Sequence, residues 1–254
     1  MTAVSDWLGL LRSTADAVEA ALAGFDRWQD GGERSDQYAA DQVADAAALS
    51  VLVETGVGVL SEESGLRAGS GSETVIVDPV DGSTNASRGI PHYCISLCVV
   101  DGVVPVAGLV RHLVSGEEFT AAAGAGAHRN GQPIAPSGRE HGARAVIGVS
   151  GRPGLELPVW QVRVLGSAAL DLCAVACGRL DAYLDLNSNH GVWDYAAGIL
   201  ICSEAGTWTG EAGGRDLFHL SHSERRGPIA ASTPELAALL GHARQPGSGS
   251  GDGR

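Results

Sequence analysis

The chain contains no lysine. All 17 of its basic residues are arginine, set against 30 acids, for a formal net charge of -13 over 254 residues. A surface so poor in positive charge repels phosphate backbones and anionic lipid, which argues against nucleic-acid and membrane partners. It leaves open a small phosphorylated ligand held through a cation. No apolar run is long enough to span a bilayer. The stretch Met1 to Trp7 lacks the basic region and apolar core of a signal peptide, so the expected location is the cytoplasm. The five cysteines include no CxxC pair and read as reduced, buried thiols. Neither a GxxxxGK[ST] nucleotide loop nor a GxSxG serine occurs.

What is present is a globular composition, 44% hydrophobic, on a chain long enough for one large domain or two subdomains. Helical periodicity covers 7–28 and 41–54, with a polar loop at 31–36 between them. Strands are expected at 57–60, 74–77, 93–100, 103–110, 117–122 and 126–129. Beyond the loop 133–142, strands are expected at 145–149, 161–165 and 181–186, and helices at 166–177 and 193–204. That loop divides an N-terminal subdomain, 1–140, from a C-terminal one, 141–244; the Gly/Ser-rich tail 245–254 is expected to be disordered.

The informative stretch is Val77-Asp-Pro-Val-Asp-Gly-Ser-Thr-Asn85, read as a turn or loop from Asp78 onward. Pro79 stiffens the link between Asp78 and Asp81 so that both acids can converge on one point. Two close carboxylates repel unless a cation neutralises them, and oxygen donors without a His or Cys pattern suit Mg²⁺. Gly82 permits close approach of a ligand to the backbone, and Ser83, Thr84 and neighbouring N–H groups can hold a phosphate. Glu62, Asp194 and Asp41 also sit where secondary structure changes. Each taken alone reads equally well as a helix cap or a solvated loop acid.

Taken with three further segments, this stretch resembles the inositol monophosphatase-like family of metal-dependent phosphatases. "DPVDGSTN" is similar to its signature, "LSEESG" (Leu60 to Gly65) to its first acidic motif, and "VWDYAAG" (Val192 to Gly198) to its C-terminal motif. "GSAALDLCAVACGRLDAYLD" (Gly166 to Asp185) resembles its substrate-side segment. The resemblance implies an α+β fold, a layered α-β-α-β-α sandwich, with two or three Mg²⁺ ions, lithium sensitivity and a homodimer. By position, Glu62, Asp78 and the Val80 carbonyl would bind one metal, and Asp78, Asp81 and Asp194 a second. Gly82 and Ser83 would cradle the phosphate. Asp41 would pair with Ser83, and with Glu62 these would orient the attacking water. Gly166, Ser167, Ala168 and Asp185 would face the alcohol.

The implied activity is Mg²⁺-dependent hydrolysis of a small alcohol phosphate resembling inositol monophosphate. The alternatives are a histidinol-phosphate phosphatase, with Asp181 and Asp185 balancing an amine, a 3′-nucleotide phosphatase, and a non-catalytic metal-binding scaffold. A sugar bisphosphate needs extra cations, for which Arg88, Arg111, Arg152 and Arg163 are the candidates. The family's lysine ahead of Asp41 is missing here, with Arg34 its nearest substitute, and the segment 151–160 is short.

Overall fold

The computed structural model describes residues 4–32, 38–151 and 157–244. Arg34, Arg152, much of the short 151–160 segment and the tail 245–254 therefore lie outside the described residues. Two helices, α1 (Val4–Leu22) and α2 (Ala39–Leu52), precede a mixed eight-stranded sheet. Its strands are β1 (Gly58–Ser61), β2 (Gly65–Arg67), β3 (Glu73–Asp81), β4 (Cys94–Asp101), β5 (Val104–His112), β6 (Glu118–Ala122), β7 (Ala127–Arg129) and β8 (Gln132–Pro133). The spatial order is β2-β1-β3-β4-β5-β6-β7-β8, and a short helix α3 (Ser83–Ser87) leaves the end of β3. The second sheet runs β10-β9-β11-β13-β12, from β9 (Val146–Ser150), β10 (Gln161–Arg163), β11 (Ala182–Asp185), β12 (Trp208–Glu211) and β13 (Pro228–Ala231). Helices α4 (Ala168–Ala176), α5 (Val192–Glu204) and α6 (Pro234–Arg244) complete the chain.

Side-chain alternation stacks these elements into five layers. On β3 and β4, Val75, Val77, Ile95, Leu97 and Val99 face the helices α1 and α2. Ile76, Cys94 and Cys98 face the opposite way, into a core shared with α4 and α5. The second sheet repeats the device. Tyr183 and Ala230 face that middle core, while Ala182, Leu184, Ile229 and Ala231 pack on Leu236, Ala237 and Leu240 of α6. The α-β-α-β-α sandwich follows from two amphipathic sheets sharing one pair of buried helices. No described helix is long and apolar enough to cross a membrane.

Two expectations are corrected. Helix α1 stops at Leu22 and does not continue to Trp28, because Gly24 takes a φ of 75° and turns the chain. Phe25 and Trp28 then pack edge to face at 5.8 Å, with Trp28 against Tyr93. The stretch from Asp78 to Asp81 is not loop but the end of β3. Local composition hid it: proline and aspartate are poor strand residues.

The close crossing of α4 and α5 requires glycine at 198, where a Cβ would stand 2.8 Å from Cβ of Leu172. Gly198→Ala should therefore destabilise the fold by about 1–3 kcal/mol despite the better helix propensity of alanine. Thermal melting checks this; an unchanged or higher Tm would show that the two helices separate freely.

Candidate active site

Strand pairing builds the acid cluster. β1 and β3 are parallel neighbours with Ser61 opposite Val77, so the next residues, Glu62 and Asp78, emerge side by side. Glu62 N–H donates to the Val77 carbonyl at 3.1 Å. Between Asp78 and Asp81 the pairing with β4 slips: Asp78 lies opposite Ser96 and Asp81 opposite Cys94, so β3 carries one extra residue. In a regular strand, positions three apart face opposite sides. The bulge absorbs one position and turns both carboxylates to the α4/α5 side. Pro79 sits inside it, where the missing N–H costs no ladder bond.

Three helix N-termini then close on these acids. Asp81 Oδ2 accepts from Ser167 Oγ and from Ala169 N–H at the start of α4, each at 2.7 Å. Asp194, in the first turn of α5, accepts through Oδ2 from Gly191 N–H at 2.8 Å and meets His190 Nδ1 at 3.0 Å. Asp41, in the first turn of α2, accepts from Tyr38 N–H at 2.9 Å. The positive ends of the helices partly offset the negative charge. Ligand oxygens of Glu62, Asp78 and Asp194 fall within 4.8 Å of one another, and this trio is the metal-capable grouping found among the described residues.

The electrostatics show what the grouping costs. Burial lifts Glu62 well above the carboxylate range, and the charges of Asp194, Glu63, Asp41 and Asp81 add to it. Burial likewise lifts Asp78, helped by Glu62, Asp81, Asp194 and Asp41. Asp81 is raised to about 6 by burial and Asp194, against the opposing hydrogen bonds from Ser167 and Ala169. Acids so placed favour either protons or a cation. An all-oxygen donor set fits a hard divalent ion such as Mg²⁺. All five cysteines are free; Cys94, Cys98, Cys173 and Cys202 are buried, and the Cys94 thiol lies 3.9 Å from Asp81 Oδ2 and 3.6 Å from Ser167 Oγ.

Gly82 follows Asp81 with a φ of 92°, and a Cβ there would meet the His92 carbonyl at 3.0 Å and the Gly166 carbonyl at 3.2 Å. Ser83 opens α3 directly after it. A cleft of about 230 Å³ adjoins Asp81 and is lined by Gly166, Ser167, Ala168, Asp171, Tyr183 and His190, among others. Asp185 has a different place from the one expected of it. It is 1% exposed, and its two oxygens accept from Asn187 N–H and Asn189 N–H, each at 2.9 Å. Its carboxylate ties down its own loop and is not among the residues lining the cleft. Arg111 is likewise committed, to Asp16, Glu19 and Glu118. Arg163 bonds Gln161 and lines a separate cavity with His92 and His112.

Several contributors escaped the sequence reading. Asp45, one turn after Asp41 on α2, accepts from Ser61 and Ser64 Oγ and so fixes the turn that carries Glu62. The Asn85 amide donates to the His92 and Leu165 carbonyls, both at 2.8 Å, joining the phosphate loop to the start of α4. His222 donates to the Glu62 carbonyl at 2.9 Å, its ring 4.7 Å from that of Trp193 and tilted by 35°. Asp171 reaches within 3.5 Å of His92 Nε2. Only the one-turn spacing of Asp41 and Asp45 is visible in the sequence; the others are long-range contacts.

Comparison with known proteins places this arrangement. Residues 10–247 match the model of the inositol monophosphatase family. The chain belongs to that family. It is 36% identical over 255 residues to a "Fructose-1,6-bisphosphatase/inositol-1-monophosphatase" of Archaeoglobus fulgidus, covering 92% of this chain and 98% of the relative. It is 36% identical over 202 residues to the "Nus factor SuhB" of Xylella fastidiosa, covering 74% and 71% of the two chains. Among solved structures, a Pyrococcus horikoshii protein described as similar to inositol-1 monophosphatase superposes with a TM-score of 0.84 at 28% identity, covering 95% of this chain and 99% of that one. The family members are metal-dependent phosphatases acting on small phosphate esters.

The raised acids give a signed pH dependence. A carboxylate whose folded pKa exceeds its unfolded one binds its proton more tightly when folded, so stability falls as pH rises through the interval. For Asp81 that interval runs from 3.8 to about 6, and Asp78 and Glu62 shift in the same direction. Metal-free Asp78→Asn should therefore melt above metal-free wild type at neutral pH, with the gap closing as the pH falls toward 4. Melting curves in a chelator check this. A gap independent of pH would mean that the cluster is not repulsive.

Proposed function

We propose that this chain is a Mg²⁺-dependent phosphomonoesterase that hydrolyses a small alcohol monophosphate of the inositol monophosphate kind. The observation that carries the reading is the convergence of Glu62, Asp78 and Asp194 beside an internally braced Asp81, with Glu62, Asp78 and Asp81 raised by burial and neighbouring charge. A protein that holds no cation has no physical use for so costly a grouping.

In this reading Glu62, Asp78, the Val80 carbonyl, Asp81 and Asp194 would hold the divalent ions, two or three in number. When bound, the ions supply an acidified water and charge stabilisation for the phosphoryl oxygens and the leaving oxygen. The chain's own residues supply position. Gly82 and Ser83 cradle the phosphate through backbone N–H and hydroxyl groups. Asp41, Glu62 and Ser83 orient the attacking water. Ser167 and Ala169 hold one oxygen of Asp81 and so fix its orientation, and Gly166, Ser167 and Ala168 would form the floor for the alcohol. Asp185 acts at one remove, by holding the loop between β11 and α5.

The described lining of the cleft favours a single phosphate; Arg152, next to Gly151 of that lining, lies outside the described residues. Arg111 and Arg163 are engaged elsewhere, and no arginine lines the cleft among the described residues. The charge balance offered for histidinol phosphate is weakened too. Asp181 is bound by Ser137 Oγ, Val146 N–H and Arg139, and Asp185 by its own loop. A polyol phosphate is the better supported substrate.

Phosphate release with Mg²⁺ across inositol 1-phosphate, histidinol phosphate, fructose 1,6-bisphosphate and adenosine 3′,5′-bisphosphate tests this. Inositol 1-phosphate should lead in kcat/KM. Asp81→Asn and Asp194→Asn should each lose at least about 100-fold, since even residues one shell out from a metal cost 10–100-fold. Release from none of the four, in protein whose Tm rises with Mg²⁺, would favour the metal-binding scaffold.

A further inference from the structure

Asp194 differs from the other acids in how it is held. Its Oδ2 takes two donors from the turn that precedes α5, Gly191 N–H and the His190 ring. The ring is fixed at both ends. Nδ1 is 3.0 Å from Asp194 Oδ2, and Nε2 is 2.8 Å from the hydroxyl of Tyr183, a fully buried residue of β11. The backbone of His190 is fixed as well, by paired bonds with Arg226: His190 N–H to the Arg226 carbonyl at 3.1 Å and Arg226 N–H to the His190 carbonyl at 2.9 Å. Tyr183 therefore holds the imidazole, the imidazole holds the carboxylate, and the turn that carries them is pinned beside β13.

In either protonation state that suits an anionic partner, the ring donates Nδ1–H to the carboxylate, while Nε2 pairs with the phenol hydroxyl. The chain Tyr183–His190–Asp194 resembles the outer hydrogen bonds that orient metal-ligating groups, here with the carboxylate as ligand and the imidazole as its support. The trio also contrasts with Asp81, whose bracing comes from the α4 N-terminus. The two halves of the cluster are positioned by different parts of the second sheet and its helices.

We propose that Tyr183 and His190 are positioning residues for Asp194, holding the rotamer in which it meets Glu62 and Asp78 and thereby setting the affinity of the centre for a divalent ion. The proposal rests on the reading of the cluster as a Mg²⁺ site. The structural alternative is that His190 merely fills space between β11 and α5. The two differ in what the ring's nitrogens must do. An asparagine at 190 can place an amide N–H where Nδ1 lies, whereas a glutamine amide reaches the Nε2 position, toward Tyr183.

The test is a Mg²⁺ titration of the full chain, stripped with a chelator and followed by the rise in Tm without substrate, so that any contact of His190 with the alcohol does not enter. His190→Gln should raise the half-saturating Mg²⁺ concentration about 10–100-fold, as loss of an outer-shell partner does. His190→Asn should recover most of that loss, and Tyr183→Phe should fall between wild type and His190→Gln. A lower Tm in chelator with an unchanged half-saturation in His190→Gln is the space-filling result and overturns the proposal. So does an asparagine variant no better than the glutamine one. A wild-type protein whose Tm ignores Mg²⁺ would remove the metal-centre reading and this inference together, whereas a responsive wild type with an indifferent His190→Gln would remove this inference alone.

Discussion

Everything near the centre of this protein answers to the repulsion among its clustered carboxylates. Glu62, Asp78 and Asp194 place oxygens within 4.8 Å of one another, and burial with mutual charge lifts Glu62 and Asp78 far from their ordinary range. Such a grouping persists only because each acid is fastened to a rigid element: Glu62 and Asp78 to adjacent parallel strands, Asp81 to a strand bulge and a helix start, Asp194 to another helix start. The surrounding fold supplies the stability that the cluster spends.

That constraint explains features that would otherwise look incidental. The bulge in β3 is what puts two aspartates three positions apart on one face. Gly82 is needed both for its left-handed φ and because carbonyls of His92 and Gly166 crowd it. Gly198, within the motif that carries Asp194, lets α5 approach α4 closely at Leu172. Asn85 bridges the two halves at that point, through carbonyls on either side. The middle core, shared by both sheets, makes the relative position of Asp81 and Asp194 a property of the whole fold.

The acid cluster and the cleft beside it draw on different elements, with Asp81 common to both. The acids that fit a divalent ion lie at the ends of β1, β3 and α5, whereas the neighbouring cleft takes its lining from α4, β9 and β11. Related proteins carry both fructose-1,6-bisphosphatase and inositol-1-monophosphatase in one name. Here the cleft offers Asp171, Tyr183 and His190 in place of arginine among its described lining.

The sequence by itself determined the acid identities, their order along the chain and most of the elements that carry them, because periodicity and motif spacing are local properties. Helices α2 and α5 and strands β4 and β5 lie close to where alternation places them. It could not show that Asp78 to Asp81 is strand, since proline and aspartate oppose strand locally and only pairing with β4 overrides them. Nor could it show that Asp185 turns into its own loop, that Arg111 is spent on three acids of α1 and β6, or that Tyr183 reaches the ring of His190. Strands β12 and β13 and helix α6 carried no expectation at all. These are decisions of tertiary structure. Whether a side chain faces a ligand, a partner or its own backbone depends on what the fold brings against it from far along the chain, and local sequence holds no record of that distance.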